Sequence, residues 1–261
     1  MLYFPQLATG ATGQYPIQKR RTVRTVVNAC PDGSTVKWAD PAGPVTDWEI
    51  HFNELSDDEL DALEQFFLAA EGTLNPFTFL DPAGNLFCWS EDLSQPVWEK
   101  GAMLTASSGV ADPWGTQRGF QLQNGGGAAA RLTQTLEAPA SYCYTVSLYA
   151  RSSQGGQIRL VRGEETQACP VTTSWRRLHF SGDSQNTAEN IAFGLELDAG
   201  AVAEVCGLQV EAQPGASTYQ LSDGNGGVYA GARLADDVLE VTTQGPNRHA
   251  CVLRIMHADH N

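Results

Sequence analysis

The stretch from Phe77 to Trp98, FTFLDPAGNLFCWSEDLSQPVW, constrains this chain most, because two sequence textures meet inside it. Upstream lies an α+β pattern with one helix. The segment Asp47 to Phe52 places Trp48, Ile50 and Phe52 on one face, as a half-buried strand does. In the helix that follows, Ser56 and Glu59 have capping-box spacing, Leu55 and Leu60 have staple spacing, and Leu60, Leu63, Phe66, Phe67 and Ala70 share one face up to Gly72. Before these, Tyr15 to Val27 reads as a strand with one wet face. Pro31-Asp32-Gly33-Ser34 is a turn and Thr35 to Trp38 the returning strand, so a hairpin is expected there, followed by a second turn at residues 40–43.

Downstream of the seam no helix interrupts a series of short alternating segments. They are expected near 118–122 and 130–136, and at 143–151, 157–162, 175–181, 191–197 and 203–210, separated by Gly, Ser, Pro or Asn. That spacing predicts an antiparallel jelly-roll β-sandwich. After SDGNGG at 222–227, three more strands are expected at 228–234, 238–242 and 250–256, too few for a core of their own. The predicted fold is therefore mainly β: a small α+β domain at 1–88, completed by 223–261, with the sandwich inserted at 89–222.

At 261 residues the chain can bury two cores. A net charge of −14 repels phosphate backbones, so nucleic acid is not an expected partner. No run of about 18 apolar residues is present, so no membrane insertion is expected. The first ten residues lack the basic-then-apolar order of a secretory signal. Cys30, Cys88, Cys143, Cys169, Cys206 and Cys251 lie far apart with no CxxC pair, which suits packed thiols, with one or two bridges left open.

The chemistry-bearing motifs are sparse. There is no GxSxG elbow, P-loop or GxGxxG, and no catalytic residue can be named, so an enzyme is not expected. His51 and His179 fall on polar strand faces, while His257 and His260 are expected in solvent near the C-terminus. Gly125-Gly126-Gly127 reads as a tight loop. Trp114, in the turn Asp112-Pro113-Trp114-Gly115, is a large aromatic where a loop should be and is the candidate platform for a sugar face. Trp89, Trp98 and Trp175 are expected in the core. A structural calcium, should the sandwich carry one, would use Glu91 and Glu211. Lys19, Arg20, Arg21 and Arg24 form the basic cluster of an acidic chain and are candidates for subunit contact.

Two runs of residues resemble known families. From Tyr15 to Asn85, the pattern of Trp48, Phe52, Leu55, Glu59, Leu60, Leu63, Phe66, Phe67, Gly72, Phe77, Phe79, Asp81, Pro82 and Asn85 resembles the N-terminal domain of bacteriophage minor tail proteins of the tail-tip and distal-tail class. From Asn85 to Ser222, NLFCWSEDLSQPVW, DPWGTQRGFQL, YCYTVSLYAR, TTSWRRLHFS and GLQVEAQPGASTYQLS are similar to the carbohydrate-binding-like jelly roll of phage tail and spike proteins. Asp112-Pro113-Trp114-Gly115 departs from the Asp-Gly common there. The resemblance implies a virion structural protein, made in the bacterial cytoplasm and located at the tail tip. It implies a homo-oligomeric, hexameric ring contacting tail-tube and tail-hub proteins, with the sandwich directed at cell-surface glycan. The opposing class is a secreted carbohydrate-active enzyme or its accessory binding module.

Overall fold

Strict alternation along one long strand organises the first half of the structure, a computed structural model that describes residues 1–41 and 43–258. In chain order the elements are β1 (Ile17–Thr22), β2 (Thr25–Ala29), β3 (Thr35–Ala39), β4 (Val45–Leu55), α1 (Asp57–Ala70) and β5 (Phe77–Leu80). β4 turns Trp48, Ile50 and Phe52 inward and pairs with the last strand of the chain, so that Ile255, Leu253 and Cys251 stand opposite them. α1 opens with the reciprocal Ser56–Glu59 capping box and ends on Glu71 in the left-handed region. It buries Leu63, Phe66 and Ala70. Phe4 supplies an edge to Phe66 at 5.1 Å, and Phe66 another to Phe77 at 4.8 Å. The first residues are thus structural, held by Leu2 and Phe4 hydrogen bonds to Thr78.

Ten strands build the sandwich: β6 (Glu99–Lys100), β7 (Leu104–Val110), β8 (Gly119–Asn124), β9 (Ala130–Leu136), β10 (Tyr144–Arg151), β11 (Gly156–Arg162), β12 (Glu165–Val171), β13 (Arg176–Gly182), β14 (Ile191–Leu197) and β15 (Val202–Glu211). They form two antiparallel five-stranded sheets, ordered β13-β10-β15-β8-β7 and β12-β11-β14-β9-β6. β16 (Val228–Leu234), β17 (Val241–Gly245) and β18 (Arg248–Ala258) then return to the first sheet, whose order is β1-β4-β18-β16-β5 with β17 also on β18.

The chain forms two compact units. One comprises residues 1–7, 13–79 and 229–261, and the other 8–12 and 80–228. The boundaries expected at 88/89 and 222/223 therefore move outward. The reason is burial: Leu80, Leu86 and Phe87 belong to the sandwich core. The Asn85 carboxamide also fixes this entry, donating to Leu208 and Gln220 carbonyls and accepting from the Phe87 and Val210 amides.

Four other expectations are corrected. Residues 15–27 are not one strand but β1 and β2, split at Val23-Arg24, and β2 pairs only with β3 among the described residues. Trp98 is buried against Phe87, but Trp89 is 38% exposed with φ +51° and faces Gly224. Trp175 lies on the outer sheet face beneath the Arg151 guanidinium, because alternation alone does not say which face a strand buries. His257 is held between β4 and β16, bonded to the Ala230 carbonyl, while His260 lies outside the described residues.

Candidate functional site

On β10, Tyr144, Val146, Leu148 and Ala150 point into the sandwich core, which leaves Thr145, Ser147, Tyr149 and Arg151 on the outer face. At the Thr145 end this polar face is covered. Thr145 donates to the Gln213 carbonyl, Glu211 accepts from the Ser217 amide, and Gln209 accepts from the Gln220 amide. The strandless segment 213–222 therefore shields the polar residues and brings Tyr219 down onto the sheet.

Beyond that cover the face opens into an aromatic cluster. Between Ser147/Gln209 and Tyr149/Cys206 the β10–β15 register slips, so Gly207 and Leu208 oppose the single residue Leu148. This is a bulge, with Gly207 at φ +60°. Three rings converge over Gly207: an added Cβ would stand 3.1 Å from Trp114, 3.3 Å from Tyr149 and 3.4 Å from Tyr219. Trp114 stacks on Tyr219 at 5.5 Å and 26° and meets Tyr149 edge-on at 5.1 Å. Trp114 nevertheless remains 45% exposed as a residue.

The loop that carries Trp114 is fixed by one carboxylate. Asp112 accepts from the amides of Trp114 (2.9 Å), Thr116 (3.0 Å) and Arg118 (3.3 Å), and from the Thr116 hydroxyl. Burial alone would raise its pKa, but the Thr116 hydroxyl and these amides outweigh burial and hold the carboxyl below its ordinary value. Trp114 is consequently a positioned ring rather than a loose one. The Tyr219 phenol, pushed up by burial, stays neutral and shares a 2.9 Å hydrogen bond with Ser90. Cys206 sits beside the cluster as a packed thiol, pushed up to about 12 by burial, far from the thiolate a nucleophile needs. All six cysteines are free thiols, so the bridges left open by the sequence do not form.

Of the residues singled out by sequence, Trp114 stands at this site. Glu91 is close by in the network, but its carboxylate receives Arg118 at 2.9 Å. Glu211 is engaged by Ser217 and Gln213. Among the described residues no group of three or more His, Cys, Asp or Glu is placed to hold a metal ion. The triple-glycine loop is also local structure, with Gly126 donating to Asn124 at 3.0 Å.

The basic cluster belongs to the other unit. Lys19 lies over Trp48 and Tyr229, Arg20 reaches Asp47 at 3.4 Å and Arg24 reaches Asp40 at 2.5 Å. Arg20 and Arg24 remain 77% and 74% exposed, so these pairs hold them weakly. Next to them the β2–β3 hairpin exposes Val27, Val36 and Trp38. A cleft of about 590 Å³ on the outer face of β4 and β18 holds Glu49, His51 and Arg254, but these groups are bonded to one another.

No family model matches the sequence, and no curated protein matches it. Among solved structures, the CBM22-1 xylan-binding domain from Paenibacillus barcinonensis Xyn10C is 15% identical over 52% of this chain and 98% of that one, with a TM-score of 0.41. The tandem CBM22-1-CBM22-2 domain from the same protein is 17% identical over 64% and 60%, with a TM-score of 0.42. The enzymatically active domain of tailspike protein 4 from bacteriophage CBA120 is 15% identical over 51% and 22%, with a TM-score of 0.36. The jelly roll itself is read from the strand order and pairing above.

Proposed function

We propose that this chain is a structural component of a phage tail tip, assembled in several copies, whose sandwich unit binds glycan on the Trp114 face. The observation that carries the binding half is the exposed Trp114, held by an Asp112-centred loop and backed by Tyr219 over the Gly207 bulge. Sugars are recognised by aromatic rings that meet their C–H faces, and a ring fixed in advance loses little entropy on binding. No nucleophile or acid pair is needed for that role, and the reading is of binding rather than turnover.

The assembly half rests on the sequence resemblance and on the β2–β3 hairpin. A two-stranded sheet that pairs with no other strand among the described residues is marginal alone, and its exposed Val27, Val36 and Trp38 call for cover. The lightly held Arg20 and Arg24 suit the acidic surface of another copy in a hexameric ring, next to tail-tube and tail-hub proteins. Six weak glycan sites would then act together. The same Trp114 face would serve the accessory module of a secreted carbohydrate-active enzyme. Mass photometry over a wide concentration range separates the two: a defined oligomer, alone or with a tail-tube protein, is expected, and a strict monomer under both conditions overturns the ring.

A further inference from the structure

We infer that the ligand of the Trp114 face carries a carboxylate and that Arg177 receives it. The inference rests on the glycan reading and names its substrate class. Across the outer face of β10 and β13, Tyr149 stands opposite Arg177 and Ser147 opposite His179. The aromatic cluster therefore runs on through Tyr149 to a guanidinium, which lies 5.6 Å from the Tyr149 ring centre.

Arg177 is singled out by its charge balance. Seven arginines lie in the sandwich unit. Arg118, Arg131, Arg151, Arg159 and Arg162 each face a carboxylate. Among the described residues Arg176 and Arg177 do not, and Arg176 is simply exposed. Arg177 is half-buried; its Nη2 donates to the Ser147 hydroxyl at 3.1 Å, and its Nε is closed to solvent with no partner. Two residues away on the same face, Trp175 Nε1 is also buried without a partner. Both orphaned atoms are donors closed to solvent, so the chain leaves this guanidinium under-satisfied and a ligand would meet it at its outer Nη nitrogens.

Arg162 makes the contrast clear. It too has buried nitrogens without partners, but Glu165 neutralises it. Arg177 has a hydroxyl and no counter-charge, in a chain whose net charge of −14 offers many. A neutral sugar hydroxyl could meet one donor and would leave the charge unpaired. A carboxylate accepts two N–H bonds from a guanidinium in one plane and balances it. A sugar stacked at Trp114 with an acidic sugar beside it satisfies both halves of the face.

The test is a glycan array of uronate- and sialate-bearing oligosaccharides, each printed beside its carboxyl-reduced counterpart, probed with the full chain. Binding to acidic members is expected to exceed binding to their reduced partners roughly tenfold to a hundredfold, the range of a charge-assisted hydrogen bond. Arg177→Gln should abolish that preference and Arg176→Gln should keep it, with thermal unfolding confirming that both variants fold. Should Arg177→Gln fail to fold, Arg177→Lys keeps the charge without the planar fork and should show an intermediate preference. Equal, Trp114-dependent binding of acidic and reduced partners overturns the carboxylate and leaves the platform standing. Binding to neither overturns both.

Discussion

Two exposed tryptophans, Trp38 and Trp114, have nearly the same accessibility, 44% and 45%, and opposite surroundings. Trp114 is backed by Tyr219, edged by Tyr149 and fixed by four hydrogen bonds into Asp112. Trp38 stands on a hairpin in which every residue of β3 is exposed. Exposure by itself is therefore uninformative. A ring whose orientation is already fixed suits a small rigid ligand that brings no packing of its own. A ring on a bare two-stranded ribbon suits a macromolecular partner that supplies the missing layer.

The comparison can be broken by substitutions, ordered by their effect on the folded monomer. Gly207→Val forces a β-branched side chain into the left-handed region and into three rings, and should cost about 2–5 kcal/mol in urea unfolding while abolishing glycan binding. A neutral result would mean that the rings do not close over the bulge. Trp114→Ala should remove only the ring contacts, about 0.5–1.5 kcal/mol of stability, yet cost about 2 kcal/mol or more of glycan affinity, as a central anchor does. The two readouts together separate a platform from a packing residue.

Asp112→Asn tests whether the loop is held electrostatically. The folded carboxyl titrates below its ordinary value of 3.8, so its stabilisation is fully present above 3.8 and is lost as pH falls through the lowered folded value. The variant should be less stable than the parent at neutral pH, and the gap should close below pH 3.8. A gap that persists unchanged in acid would assign the effect to shape and not to charge. Trp38→Ser should leave monomer stability within about 0.5 kcal/mol, as surface changes do, and shift mass photometry toward the monomer. Unchanged assembly would remove the hairpin from the interface.

How much of this was legible in the sequence differs by element. α1 and β4 were, since a capping box and a period-two pattern are local signals. β7 and β12 were not: LTASSGV is small and polar, and ETQACPV carries Pro170, which an edge strand tolerates because its N–H is not needed. Trp114 stood out as a large aromatic in a turn. Its partners did not, because Tyr149, Gly207 and Tyr219 are assembled by a register slip between strands distant in the chain. Arg177 was hidden for a related reason: only the completed set of ion pairs shows which arginine lacks one. Trp175 read as core because an alternating strand has two faces and the sequence does not label them.

The most direct test is one glycan array probed with the assembled parent chain, Trp114→Ala and Trp38→Ser at equal protein concentration. The account predicts clear binding by the parent, loss of binding by Trp114→Ala, and weakened binding by Trp38→Ser through lost avidity alone. Full binding by Trp114→Ala, or none by the assembled parent, would contradict it.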